Sequence, residues 1–124
     1  MLKMNSIILS SGDPTTLINF YSKVFGREPD MKGGEGQFSG FNANGSFIGI
    51  GPDDRISGKN QSPSRVMFNF ETDDVESEFA RIKAAGAQVI ADPYSPDKNS
   101  KMLLATFADP DDNYFQLVSP MTDM

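Results

Sequence analysis

The sequence predicts an α+β chain built from two modules of one kind, each a strand, a helix and three further strands (βαβββ). Three observations carry this. Asp13 and Gly26 bracket an apolar-periodic stretch, and Asp73 and Gly86 bracket another of equal length. Each stretch follows a short β-type run. Each is followed by two apolar runs joined through turn-forming residues, Asn44-Gly45 in the first half and Asp109 to Asn113 in the second. A repeat in the order of elements, and not only in one spacing, marks an internal duplication. Neither half buries a sheet by itself, so the halves are expected to share one core.

The elements follow in order. "NSIILSS", Asn5 to Ser11, is β-branched and apolar and reads as a strand. Asp13 is a helix N-cap candidate with Pro14 at the first helical position. Leu17, Phe20, Tyr21 and Val24 then recur at helical spacing, and Gly26 suits a C-cap. A short strand is expected next. "GQFSGFNANGSFIGIG" is a hairpin, because Asn and Gly both tolerate the positive φ of a tight turn. Residues 51–64, "GPDDRISGKNQSPS", are polar and rich in Gly, Pro and Ser and read as a linker. "RVMFNFE" restarts the pattern as a strand. "TDDVESEFARIKAAGAQVI" gives a helix with Val75, Phe79 and Ile82 on one face, then a strand, and "KMLLATFADPDDNYFQLV" is a second hairpin. The organisation is therefore one domain over 1–124, with a first module at 1–50, the linker at 51–64 and a second module at 65–120.

Composition narrows the chemistry. The chain has no cysteine and no histidine, which removes disulfides, thiolate nucleophiles, zinc–thiolate sites and the commonest general base. Formal charge is −6, from 17 acidic and 11 basic residues, which disfavours nucleic acid as a partner. The acid excess suits a cationic ligand, and it equally serves solubility alone. No apolar run reaches the roughly 20 residues of a membrane span, so no membrane partner is expected. "MLKMNSIILSSGD" carries no export pattern, and the expectation is a cytoplasmic protein.

"FADPDDNYFQLVSP" raises the question of whether Asp109, Asp111 and Asp112 hold a metal. An EF-hand-type calcium loop needs a glycine at its sixth position and a glutamate at its twelfth. Counted from Asp109 these are Tyr114 and Pro120, so a turn is the better reading. Glu71, Asp73, Asp74, Glu76 and Glu78 cluster where a helix begins, which the helix N-terminus favours without any catalytic role. Gly33-Gly34-Glu35-Gly36 lacks the Lys-Ser/Thr of a phosphate loop and reads as a flexible connection. Ser10 and Ser11 have no nearby base in sequence.

"FADPDDNYFQLVSP" nevertheless resembles the C-terminal signature of the vicinal oxygen chelate superfamily, which groups glyoxalases, bleomycin resistance proteins and extradiol dioxygenases. "SSGDPTTLINFYSKVFGREP" is similar to that superfamily's first strand-to-helix segment, with Phe20-Tyr21 ahead of Phe25-Gly26. The resemblance spans nearly the whole chain. Asp112 departs from it, because the superfamily usually has glycine there. The resemblance implies the glyoxalase/bleomycin resistance fold, two βαβββ modules forming a cupped mixed sheet with flanking helices. It also implies a small-molecule site in the cup and a homodimer.

Metal-using members place ligands on four strands lining the cup. Carried over by position, these fall on Ser6, Gly49, Met67 and Gln116. Such sites use imidazole and carboxylate, and these four supply a hydroxyl, nothing, a thioether and an amide. The expectation is therefore no metal, no cofactor and no catalytic residue. Alternation along the strands gives a lining of Ser6, Ile8, Ser10, Phe47, Gly49, Met67, Asn69, Tyr114 and Gln116. That set suits a small-molecule pocket, and it equally suits side chains that merely fill a sheet interior, with Met67 as gap filler. The functional expectation is a metal-free protein that binds a small, drug-like molecule, for which the acid excess suits a cation. The alternative is a glyoxalase-like lyase or dioxygenase-like enzyme with a non-standard site.

Overall fold

The computed structural model describes residues 1–120 and has nine elements. They are β1 (Ser6–Ser11), α1 (Pro14–Phe25), β2 (Ser39–Asn42), β3 (Phe47–Pro52), β4 (Phe68–Glu71), α2 (Val75–Ala84), β5 (Gln88–Tyr94), β6 (Leu104–Ala108) and β7 (Tyr114–Val118). The chain divides into two compact units, Met1–Gly58 and a second from Lys59 onwards.

In the first unit the strands order β1-β3-β2, with β1 parallel and β2 antiparallel to β3. Asp13 caps α1 by accepting from Thr16 N, and Pro14 opens the helix. Gly26 closes it at φ 69°, a left-handed turn that only glycine makes without strain. Leu17, Tyr21 and Val24 are buried, as are Phe41, Ile48 and Ile50 on the sheet. Phe25 of α1 stacks on Phe41 with ring centroids 4.9 Å apart, so α1 covers the Phe41 face. The β2–β3 hairpin turns at Asn44 (φ 57°) and Gly45 (φ 116°), as the Asn-Gly pair predicts.

The first unit has one strand fewer than the sequence predicts. Between α1 and β2 there is no strand, only an isolated bridge from Met31 to Gly40. Residues 27–37, "REPDMKGGEGQ", contain no β-branched or aromatic side chain and three glycines, so nothing favours an extended run. The segment is held by polar ties instead. Asp30 accepts from Asn42 N at 2.7 Å and from the Arg27 guanidinium at 3.0 Å.

In the second unit the order is β4-β7-β6-β5, with β4 parallel to β7 and the other pairs antiparallel. Asp74, one residue after the Asp73 that marks the repeat, caps α2 by accepting from Ser77 N. Val75, Phe79 and Ile82 are buried, as their spacing predicts. Phe79 stacks on Phe107 at 5.2 Å and Phe107 on Phe115 at 5.6 Å, with Phe68 and Phe70 against Phe115. Each such aromatic pair adds on the order of 1 kcal/mol beyond area burial. α2 therefore covers the Phe107–Phe115 face. β4 starts at Phe68, so Arg65, Val66 and Met67 of the predicted strand precede it. β5, at the end of the sheet, pairs irregularly, with register shifts on both sides of Ala91, and it contains Pro93. No helix among the described residues is long and apolar enough to cross a membrane.

Candidate functional site

Each sheet has one face covered by its own helix and one face that is not. Alternation in a strand assigns side chains to one or the other. In the first unit Ile48 and Ile50 face α1, so Phe47 and Gly49 face away from it. The parallel register sets Ser6 beside Phe47, Ile8 beside Gly49 and Ser10 beside Gly51. Ser6, Ile8, Ser10, Phe47 and Gly49 thus share the helix-free face, and Ile8 is 58% exposed on it.

The surface of this face is aromatic. A Cβ placed at Gly49 would meet the Phe38 ring at Cε2 (2.8 Å) and Ile8 Cδ1 at 2.9 Å. One at Gly51 would meet Phe38 Cδ2 at 3.0 Å, and one at Gly40 would meet Phe47 Cε1 and Cε2 at 2.7 Å. The two rings therefore lie directly on glycine backbone, at a centroid separation of 6.4 Å and an interplanar angle of 32°. The sequence reading does not select Phe38, because alternation is followed only along the four strands that carry the metal-ligand positions, and the strand after Phe38 is not one of them. Gly40, Gly49 and Gly51 were the available signal: three residues without side chains on one face leave room for large neighbours.

In the second unit Phe68, Phe107 and Phe115 pack toward α2, so Asn69, Thr106, Tyr114 and Gln116 lie on the other face. Register places Asn69 beside Gln116, and Gln116 beside Thr106. Gln116 and Thr106 are both buried, and Gln116 Nε2 donates to Thr106 Oγ1 at 3.0 Å. Thr106 is a second residue that the sequence reading passes over, although counting back through the hairpin from Gln116 reaches it. Met67 is separate from this row, exposed and one residue ahead of β4.

The Asp109–Asn113 segment is a turn. The Asp109 carboxylate is buried and accepts from Asp111 N, Asn113 N and Asn113 Nδ2 at 2.9 to 3.0 Å. Asp112 stands at φ 62°. Asp109 spends its oxygens on the loop itself, which leaves the loop organised and without a converging ligand set.

The four positions that a metal would use do not fit one. The Ser6 hydroxyl donates to Asn5 Oδ1 at 2.8 Å. Gly49 has no side chain, and the Phe38 ring occupies the space one would enter. Met67 offers a neutral thioether, and the Gln116 amide is tied to Thr106. Among the described residues no group of three or more His, Cys, Asp and Glu side chains is disposed to hold a metal ion. Divalent centres of this kind need several anionic or imidazole donors at one point. Displaced pKa values occur on surface ties. Asp30 is lowered by the Asn42 N–H and Arg27, Glu28 by Lys32, and Asp53 by Arg55.

A second concavity, of about 240 Å³, lies between α1 and the glycine-rich connection, with Thr15, Asn19, Lys32, Glu35 and Ser39 in its wall. Lys32 there is paired to Glu28 at 2.6 Å.

A glyoxalase-like domain model matches residues 6–118. No curated protein sequence matches the chain. Among solved structures, a glyoxalase-related enzyme from Fulvimarina pelagi is 20% identical, with a TM-score of 0.75 over 96% of this chain and 88% of that one. A glyoxalase/bleomycin resistance protein/dioxygenase family enzyme from Burkholderia phytofirmans PsJN is 22% identical, with a TM-score of 0.71 over 93% and 96%. A glyoxalase/bleomycin resistance protein from Catenulispora acidiphila DSM 44928 is 16% identical, with a TM-score of 0.71 over 94% and 98%. At these identities the structural likeness speaks for the fold. With the match over residues 6–118, the chain belongs to the glyoxalase-like domain family of the vicinal oxygen chelate superfamily.

Proposed function

We propose that this chain is a metal-independent glyoxalase-like protein that binds a small organic molecule on a helix-free sheet face. One observation carries the reading: the positions at which the superfamily builds a metal centre hold Ser6, Gly49, Met67 and Gln116, with Phe38 lying over Gly49 and Gln116 bonded to Thr106. Lewis-acid chemistry at that place would need donors that these residues do not supply. What each face offers by itself suits binding: in the first unit apolar contact from Ile8 and Phe47 beside the Ser6 and Ser10 hydroxyls, and in the second the hydrogen-bonding groups of Asn69, Tyr114 and Gln116. The net charge of −6 favours a cationic ligand. A cytoplasmic homodimer is the setting we propose for it, two-fold symmetry being the commonest form of self-association.

Elemental analysis of protein purified without chelators, with nickel and zinc titration calorimetry, tests the reading. We expect neither tight stoichiometric uptake nor loss of folding stability on chelation. One equivalent of tightly held metal that disappears in Gln116→Ala would overturn it. A thermal-shift screen against a chemically diverse library is expected to return small organic stabilisers, and a complete absence of them would also overturn it.

A further inference from the structure

Asn44 is the only one of the chain's eight asparagines that a glycine follows. The pair forms the tip of the β2–β3 hairpin, with φ 57° at Asn44 and 116° at Gly45. Both residues are exposed. The Asn44 side chain has no hydrogen-bond partner among the described residues, and neither has the Gly45 N–H. A Cβ built at Gly45 would meet nothing within 4 Å, so the space beside that residue is open. One backbone bond, Ala43 N to Ser46 O at 2.7 Å, closes the turn.

This juxtaposition permits an intramolecular reaction. The Asn44 amide carbon is an electrophile, and the Gly45 backbone nitrogen is a nucleophile with no side chain of its own in the way. When water or hydroxide takes the Gly45 N–H proton, that nitrogen attacks Asn44 Cγ. The new C–N bond closes a five-membered succinimide. The old C–N bond of the side chain breaks, and its nitrogen leaves as ammonia with a proton returned from water. A second water then opens the ring. Addition at Cγ gives aspartate on an unaltered main chain. Addition at the α carbonyl gives isoaspartate, with the main chain running through Cβ. Either product has one more negative charge than asparagine.

The fold decides when this happens. Positive φ at both central residues marks a turn of the I′ kind, whose first residue has ψ of about +30°. That angle places the Gly45 nitrogen on the far side of the Cα–C bond from Cβ, so the ring closes only after the turn opens. A loop tip held by one hydrogen bond opens readily. The fold also decides what each product does. Aspartate-glycine fits the same turn as asparagine-glycine. Isoaspartate lengthens the main chain by a methylene, and the two-residue turn no longer fits. The turn then ceases to fix the register that pairs Asn42 with Phe47, and Phe47 loses its place over Gly40.

We propose that Asn44 is a self-modification site, an asparagine that deamidates through Gly45 and whose isoaspartyl product loosens the β2–β3 hairpin and with it the helix-free face of the first unit. The test is incubation of the full chain at mildly alkaline pH, folded and in urea. Peptide mapping by mass spectrometry follows, with fragmentation that separates aspartate from isoaspartate. Asn44 is expected to convert ahead of the other asparagines in both samples, with the exposed Asn99, which serine follows, as the internal control. Conversion is expected to be roughly tenfold slower in the folded chain, where the turn must open first. The isolated isoaspartyl chain is expected to unfold at lower denaturant than fresh protein. Asn44→Asp, with the same added charge on an unaltered main chain, is expected to keep its midpoint. Another asparagine converting first, or no conversion at Asn44 in the folded chain, would overturn the site. Equal rates in the two samples would overturn the protection by the turn. An isoaspartyl chain with an unchanged midpoint, or Asn44→Asp destabilised as much as that chain, would overturn the structural consequence.

Discussion

Asp112 sits at φ 62°, where a side chain is strained and glycine is not. Its carboxylate has no hydrogen-bond or ion-pair partner among the described residues. Asp112→Gly is therefore expected to stabilise the protein by up to about 1 kcal/mol, the relief of the left-handed backbone less the extra freedom of glycine when unfolded. Denaturant melts should show a higher midpoint at unchanged slope; a midpoint that falls would refute the strain argument. Asp109, three residues earlier, is the opposite case. It is 3% exposed and accepts three hydrogen bonds from the loop it closes. Asp109→Ala leaves those donors unmet and should cost on the order of 3 kcal/mol by the same melts. A loss below about 0.5 kcal/mol, typical of an exposed site, would mean the loop holds without it.

Local signals made most of the architecture legible. Asp13, Pro14 and Gly26 bound α1 through contacts within a few residues, and Asn44-Gly45 fixes its hairpin the same way. The Ser6, Ile8, Phe47 and Gly49 row is legible because alternation survives once a strand is found. Gln116 follows from counting past the Asp109 turn. The start of β2 was not legible. It follows a connection whose shape depends on Asp30 reaching Asn42 N and Arg27, a tie twelve residues long in sequence. The same non-local tie accounts for the missing strand. It also predicts an acid response. Asp30 titrates below its usual value because the Asn42 N–H and then the Arg27 charge favour its ionised form. Its contribution is present above the unfolded pKa and is lost as pH falls through the lowered folded one. Asp30→Asn should therefore shrink the drop in melting temperature between about pH 5 and about pH 2. An equal drop in wild type and variant would show that the tie does not depend on charge.

The charge of −6 belongs to the chain as a whole, so its effect on a cationic ligand is long-range and open to screening. Affinity for any cation that the thermal-shift screen returns is expected to fall several-fold between about 0.01 M and about 1 M salt, over which the Debye length shrinks from roughly 30 to 3 Å. Affinity that is independent of salt would show that the net charge plays no part. The irregular course of β5 has a separate consequence, for what happens between molecules. β5 ends its sheet, and a straight strand there would offer a free row of N–H and C=O groups to any extended chain that arrived. Pro93 removes one donor from that strand, and the register shifts around Ala91 break its line. A growing fibril needs a flat template with an unbroken repeat, and this border gives it neither. Pro93→Val, which restores that donor, is therefore expected to lower the concentration at which the protein aggregates, as read by light scattering.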